Sequence, residues 1–298
     1  MMSAQMKERL QTQPAQFIEQ ELMEFARTSP LNRMPDTDNI AFFDEPLVQF
    51  ADGDDPIFTD YKTIIAPTHL TPREALSMSL SKKPEDIPAR LSVISWVLPI
   101  TSKTRKSNRQ HTTTPSRSWS YTRWYGEKFN DAMRQHLIDI LTGMGYLAVA
   151  PVLQPYFKTY SNEKGPYSNW SERHAVYAAG LGTFSLSDGF ITERGIAHRC
   201  GNVVTDLVLP ASPRTARDHY ANCLFYVDGS CKACIVRCPG EAITEEGHDK
   251  IKCQSYQRQD IGYLLKEYDV GVAGCGLCQV KVPCEFRNPT RERRKKAE

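Results

Sequence analysis

Eight of the nine cysteines fall between residues 223 and 284: Cys223, Cys231, Cys234, Cys238, Cys253, Cys275, Cys278 and Cys284. Thiolates are soft ligands, suited to iron and zinc. Cys231-Lys-Ala-Cys234 and Cys275-Gly-Leu-Cys278 are turns that each offer two thiolates, and Cys238 is followed by Pro239, which ends local helix and turns that side chain away from its neighbours. Eight thiolates are enough for two [4Fe–4S] cubanes, which move electrons one at a time. Zinc held by the two Cys-x-x-Cys pairs is the alternative, but it leaves Cys223, Cys238, Cys253 and Cys284 without a role. The spacing that supports radical chemistry on a sulfonium cofactor, three intervening residues and then two, is missing from the chain.

The run Cys231-x-x-Cys234-x-x-x-Cys238-Pro239 resembles most of the bacterial ferredoxin signature, in which the cysteine before proline serves a second cluster. The resemblance implies a crossed assignment: Cys223, Cys231, Cys234 and Cys284 around one cluster, and Cys238, Cys253, Cys275 and Cys278 around the other. Two departures weaken the first set. Seven residues separate Cys223 from Cys231, with Asp228 where a cysteine is expected, and Cys284 follows a proline instead of preceding one. A single cluster is therefore the alternative to two. The expected preparation is brown, absorbs near about 400 nm and carries about eight irons per chain.

A chain of 298 residues is long enough for one large domain or two ordinary ones. The net charge of +2 is too small to imply a specific nucleic-acid partner, and the basic run from Arg291 to Lys296 reads as a solvated tail. Nothing in the sequence has the length and apolarity of a membrane span, and the polar N-terminal stretch lacks the apolar centre of a secretory signal. The expected location is the cytoplasm, where nine cysteines argue for metal ligation over disulfides. Eight ligands leave Cys200 over, as a buried thiol or a ligand to a cofactor.

The elements that must position these groups are partly legible. Residues 15–27 place Phe17, Ile18, Leu22, Phe25 and Ala26 on one helical face. Asn32 to Ala66 reads as an irregular wrap with short elements. Thr71-Pro72-Arg73-Glu74 carries a helix start, with the helix running to about Lys82. Leu91 to Pro99 is a β-branched apolar run, expected as a buried strand, and Thr101 to Ser116 is polar and basic, expected as a loop. Glu127 to Leu141 has helical periodicity ending near Gly143 and Gly145. Tyr146 to Pro151 then reads as a strand, completing a βαβ-like rhythm. A further helix is expected from Ser171 to Ala179, ending at Gly180, and a strand from Gly201 to Leu209. The Pro/Ser/Arg stretch at 210–218 marks the domain boundary, giving 1–212 and 213–298 as the two units.

Two hundred residues precede the cysteine region, more than cluster binding needs. Their densest candidate stretch is Ser168 to Thr192, where Trp170, Arg173, His174 and Tyr177 recur at helical spacing before Gly180-Leu181-Gly182. The plain reading makes these residues a core and a helix cap, since one Gly-x-Gly is no dinucleotide fingerprint. Ala179-Gly180-Leu181-Gly182, Val204-Thr205-Asp206-Leu207, the segment GSCKACIVRCPGEAI, the single Cys253 and Gly274-Cys275-Gly276-Leu277-Cys278-Gln279 follow one another in an order that resembles epoxyqueuosine reductases and reductive dehalogenases. The match runs from roughly Ala178 to Cys284; the first 120 residues match neither family.

The resemblance implies an α+β protein: an α/β-like N-terminal domain of nitroreductase or cobalamin-processing type, then a ferredoxin-like domain with two clusters. It also implies base-off cobalamin between the domains, reduced by a nearby cubane, with flavin as another possible occupant of a nitroreductase-like domain. Gly180, Leu181, Gly182, Thr183 and Ser185 become expected cofactor contacts, with Arg173 and His174 behind them. The family's acid has no clean counterpart here. Glu127 and Tyr125 are the expected proton donors, Glu127 having the plainer reading of an acidic residue complementing a helix N-terminus. The stretch His248-Asp249-Lys250 reads as a polar turn.

Two functions follow as expectations. The first is an iron–sulfur oxidoreductase acting on a corrinoid or a small-molecule substrate, fed by an external electron donor such as ferredoxin or flavodoxin. The second is a non-catalytic electron-transfer or corrinoid-reactivating partner protein.

Overall fold

The structure, a computed structural model, describes residues 4–291, so the basic run lies outside the described residues beyond Arg291. The chain opens with helices α1 (Ala4–Thr12) and α2 (Pro14–Thr28). It continues through strand β1 (Leu47–Asp52), α3 (Ile57–Ile64), α4 (Pro72–Leu80) and β2 (Ser92–Pro99). Next come α5 (Ser102–Arg109), α6 (Arg117–Gly143), β3 (Ala148–Val149), the hairpin β4 (Thr159–Asn162) and β5 (Gly165–Ser168), and α7 (Glu172–Ala178). The hairpin β6 (Gly182–Phe184) and β7 (Phe190–Thr192) leads into β8 (His198–Thr205). The cysteine region carries only short elements: α8 (Leu224–Asp228), α9 (Ala233–Val236), β9 (Ile243–Thr244), β10 (Gly247–His248), α10 (Lys250–Gln259) and α11 (Leu264–Glu267). The fold is α+β. Among the described residues no helix is long and apolar enough to cross a membrane.

The main sheet has the order β1-β2-β8-β3, and every neighbouring pair is antiparallel. All eight residues of β2 are buried, because both faces of the sheet are covered. Side chains alternate along a strand. Ile94, Trp96 and Leu98 therefore enter the core built with Phe17, Ile18 and Leu22 of α2 and Phe129, Met133 and Leu137 of α6. On the opposite face Val93 meets Tyr61, Leu76 and Ala175, and Val97 meets Val176 and Phe190. Such a strand reads as a continuous apolar run, as Leu91 to Pro99 does.

The βαβ rhythm holds with one change. Strands β2 and β3 are each antiparallel to β8, so they run parallel to one another with β8 inserted between them. Thr71 caps α4 as expected, and with Glu74 the structure adds a reciprocal capping box; Ser81 closes that helix in the left-handed region. Helices α2 and α7 also lie where periodicity puts them.

The short elements of the wrap from 32 to 66 are β1, a full edge strand of the main sheet, and α3. Two expectations are corrected. The polar stretch after Thr101 is the helix α5, whose buried positions are Thr104 and Asn108, so it leaves no apolar stripe to read. Helix α6 starts ten residues before Glu127, with Ser116 as its cap accepting from the Trp119 N–H at 3.3 Å. Its first turns bury Trp119, Ser120, Tyr121 and Thr122, a mixed set that hides the helical period. Glu127 is thus a mid-helix residue, and the macrodipole reading of it falls.

Candidate functional site

The eight clustered cysteines surround two cavities. Cys223, Cys231, Cys234 and Cys284 line the first, with Ser185, Ile191, Ile196, Leu224, Phe225 and Val282. Cys238, Cys253, Cys275 and Cys278 line the second, of about 230 Å³. The thiols divide four and four between the two cavities. The two Cys-x-x-Cys pairs open on different cavities, which removes the zinc arrangement that would use both.

Local structure explains how each group is held. Asn222 donates its backbone N–H to Thr183 Oγ1 (2.9 Å) and its side-chain amide to the Ile191 carbonyl (2.9 Å), pinning the approach to Cys223 against the β6–β7 hairpin. Cys284 accepts a backbone hydrogen bond from Ile196 (2.8 Å). The next residue, Glu285, is fully buried. It accepts from Arg105 (3.1 Å) and Arg109 (2.7 Å) of α5 and from the Lys281 N–H (2.7 Å). That network holds the segment after Pro283 and gives Cys284 a defined position.

In the second group, Cys253 sits on α10, whose N-terminus Asp249 caps by accepting from the Lys252 N–H at 2.9 Å. Gly276, between Cys275 and Cys278, has φ of 58° and lies flat on the Trp119 ring. A Cβ there would come within 2.1 Å of the indole, so only glycine allows this close approach.

Among the described residues no three His, Cys, Asp or Glu side chains converge on a site for one metal ion. Four thiolates around a single zinc would lie about 3.8 Å apart, from Zn–S bonds of about 2.3 Å in a tetrahedron. The thiols here line two separate cavities, four around each. Burial foremost, and then the neighbouring thiols, push Cys234 and Cys275 up to about 12. Cys278 and Cys284 are raised for the same reasons. Cys284 feels Cys223, Cys234 and Cys231, while Cys275 feels Cys253 and Cys238. Cys278 also feels Cys234 across the groups, so the two groups are neighbours. Crowded thiols of this kind become thiolates only with a cationic centre among them.

The walls of the two cavities differ in charge. Apart from its thiols, the first has no ionisable side chain; the second is lined by Arg123, Arg173, Arg199, His198 and His248. Arg199 pairs with Glu127, which also meets Arg134 at 3.1 Å and Arg123 at 3.9 Å. Arg134 in turn holds Glu172 through both carboxylate oxygens at 2.8 Å. Arg199 repulsion first, and burial second, lower Arg123 to about 10. His248 Nδ1 lies 3.2 Å from Asp188 Oδ2, and His248 shares the cavity wall with Cys253. Burial would raise the Cys253 thiol, but the neighbouring His248 and the bond from the Gln257 amide (3.4 Å) outweigh that and hold it below its usual range. A larger cavity of about 670 Å³ adjoins the second and shares Arg173, His248, Cys253, Gln257 and Gly274 with it.

The structure relocates the expected site residues of the N-terminal unit. Burial alone would raise Glu127, yet Arg199, Arg134 and Arg123 hold it well below the usual carboxylate range. It stays ionised at neutral pH and has no proton to give, which removes it as the acid. The Tyr125 hydroxyl donates to the Asp269 carbonyl at 3.0 Å, and the residue lines neither cysteine cavity. Its part is to join α6 to the cysteine region. His174 packs against Tyr61 and Phe184, with Nδ1 2.8 Å from Ser171 Oγ, and Trp170 donates to Asn202 at 2.7 Å, so both take the plain core reading.

Gly180, Leu181 and Gly182 line a third cavity of about 360 Å³, with Tyr177, Arg214 and Arg217. It shares no lining residue with either cysteine cavity. Gly182 lies so close to the Ile191 carbonyl that a Cβ would come within 2.2 Å of it. Larger residues there would disrupt the hairpin before they could report on a ligand. Thr183 and Ser185 turn towards the first cysteine group, and Arg173 alone of the expected contacts reaches the second. Cys200 is a buried thiol, raised to about 12 chiefly by burial, with Sγ 3.7 Å from His198 Nδ1.

Arg123, Arg199, His198, Asp188 and Glu285 carry no local motif and were missed. His248 had a signal, its place five residues before Cys253.

No protein-family profile and no curated protein sequence matches the chain. Among solved structures it is similar to epoxyqueuosine reductase from Bacillus subtilis, at 19% identity and a TM-score of 0.45, covering 91% of this chain and 66% of that one. It is also similar to the catabolic reductive dehalogenase NpRdhA, at 16% identity and a TM-score of 0.49, covering 97% of this chain and 40% of that one. A further reductive dehalogenase structure, described with a mechanism for B12-dependent dehalogenation, gives 15% identity and a TM-score of 0.48. The chain spans just under two thirds of the reductase and two fifths of the dehalogenase.

Proposed function

We propose that the chain is an iron–sulfur oxidoreductase, with residues 213–298 as the electron-carrying unit and residues 1–212 adding Pro166, Arg173 and Asp188 to the wall against which an acceptor binds. The observation that carries this reading is the partition of eight cysteines into two neighbouring groups of four. One group faces an uncharged cavity, and the other faces a basic cavity that opens into a larger one. Cys223, Cys231, Cys234 and Cys284 would hold one [4Fe–4S] cluster, and Cys238, Cys253, Cys275 and Cys278 the other. When bound, such clusters accept and release single electrons at low potential.

The chain's own residues do the rest. Glu285 and Asn222 hold the first group in place. Ser187 lies between the two cavities and lines both. Leu224, Phe225 and Val282 keep water from the first group, and Trp119 backs the second. Arg123, Arg199 and Arg173 set a positive field where negative charge accumulates on reduction. Electrons would enter from an external low-potential donor, such as ferredoxin or flavodoxin, and leave to an acceptor in the cavity beside Cys253. A corrinoid held at Gly180–Gly182 would stand at a cavity separate from both thiol groups, so a small-molecule acceptor is the reading the geometry favours.

Anaerobic purification with iron, sulfide and cobalt counts tests this. About eight irons per chain with two interacting paramagnets on reduction support it. Zinc in place of iron, or about four irons, refutes the two-cluster reading. Stoichiometric base-off cobalamin binding would restore the corrinoid as acceptor.

A further inference from the structure

The larger cavity beside the second cysteine group has a mixed lining. Leu265, Val272, Ala273 and Pro166 supply its apolar part. Arg173, Lys250 and Arg258 supply its cations, together with the amides of Gln254 and Gln257. Among the described residues, none of these three cations lies within ion-pair distance of a carboxylate. The Arg173 guanidinium donates to the backbone carbonyl of Asp188, an uncharged acceptor. Among the described residues Asp188 is the only carboxylate on the cavity wall; it pairs with His248 and also feels the charges of Lys250 and Arg173.

The deeper pair, Arg123 and Arg199, face the four thiols and share Glu127 beneath them. They answer the charge of whatever the thiols hold. The outer three do not sit on that wall as a set: Lys250 and Arg258 line only the larger cavity. One carboxylate among three cations leaves the chamber net positive, a field that favours a bound anion. A volume of about 670 Å³ suits an organic molecule of moderate size.

Resting on the oxidoreductase reading, we infer that the acceptor bound beside Cys253 is an oxyanion-bearing organic molecule. Its carboxylate or phosphate is held by Arg173 and Lys250, and its apolar body lies against Leu265 and Val272. Carboxylate and phosphate share the chemistry that these side chains recognise, a planar or tetrahedral oxyanion taking charge-assisted hydrogen bonds.

Calorimetric titration of the full, iron-loaded chain with 2-naphthoate, 2-naphthyl phosphate and neutral 2-naphthamide tests the inference. At least one anion is expected to bind with unit stoichiometry and at least tenfold more tightly than the amide. The tighter of the two identifies the head group. Arg173→Gln and Lys250→Gln should each weaken that anion at least fivefold and leave the amide unchanged. Val272→Asp, in the apolar part of the lining, should weaken both anions and the amide. Equal binding of amide and anions, unchanged affinity in both cation variants, or no anion binding to iron-loaded protein would overturn it. Anion binding by a chain that holds no iron would instead remove the acceptor role and, with it, the oxidoreductase reading.

Discussion

Replacing Glu285 with alanine should be among the most damaging single changes outside the cysteines. The carboxylate is fully buried and accepts from Arg105, Arg109 and the Lys281 N–H. Arg105 keeps 14% of its side-chain surface exposed and Arg109 keeps 38%, so the first would be left desolvated and unpaired while the second could turn to water. Breaking a buried pair from one side costs about 3–5 kcal/mol, and an exposed pair adds at most about 1 kcal/mol. The orphaned Lys281 N–H adds about 1–3 kcal/mol if water cannot reach it. These contributions overlap, so the expected loss is about 3–5 kcal/mol, a large share of the stability of an ordinary domain. Glu285→Gln, which keeps an acceptor and loses the charge, should cost less. Urea unfolding of the metal-free chain measures the change, and reaction of Cys284 with a thiol reagent should quicken in step. Asp44→Asn, which removes the surface partner of Arg194 (3.3 Å), serves as the control and should stay within about 1 kcal/mol. A Glu285→Ala variant as stable as that control, with Cys284 no more reactive, would show that this network does not position the cysteine.

Further outcomes follow from the same geometry. Cys284→Ser and Cys253→Ser should each lower iron by about half, and the paramagnet lost on reduction should differ between them; loss of the same signal in both would mean that the groups are not separate. Gly276→Ala should cost at least about 2 kcal/mol, because its Cβ would overlap Trp119 in a left-handed backbone region; a thermal midpoint equal to the parent's would refute that contact. His69 and His174 are lowered to about 4 and about 3, burial being the largest cause in each, against an ordinary value near 6.5. Below 6.5 the unfolded chain binds the protons that the folded chain refuses, so stability is full above that pH and falls as pH drops towards 4. The slope is about 1.4 kcal/mol per pH unit for each histidine. Urea midpoints between pH 7 and 4.5 check it, and His69→Gln should flatten the slope. Tyr125→Phe removes one hydrogen bond at the edge of the cysteine region, and an unchanged reduction rate with a stability loss of about 1 kcal/mol is expected; a hundredfold fall in rate would return Tyr125 to the chemistry.

Helix α2, the cap of α4, strand β2 and the end of α7 were legible because each is written in a local pattern. These patterns are an apolar stripe, the Thr71–Glu74 box, a run buried on both faces, and a glycine after a helix. Strand β1 and helix α5 were not. The first is a half-buried edge, and the second buries Thr104 and Asn108, polar residues bonded to Thr101 and Ser116, so no apolar stripe marks it. The early turns of α6 failed for a different reason: Trp119 is there to meet Gly276, more than 150 residues away in sequence.

The order of residues alone determined the cysteine spacing and its paired turns, because a Cys-x-x-Cys turn and a proline after a cysteine act over a few bonds. It also determined that a large unit must stand beside those cysteines. Packing is what brings Cys284 beside Cys223, far from it in sequence: the Cys284 carbonyl accepts from the Ile196 N–H, and the next residue is the buried Glu285. Packing likewise made one cavity uncharged and the other basic: Arg123, Arg173 and Arg199 come from three elements and meet only when α6, α7 and β8 close over the same space.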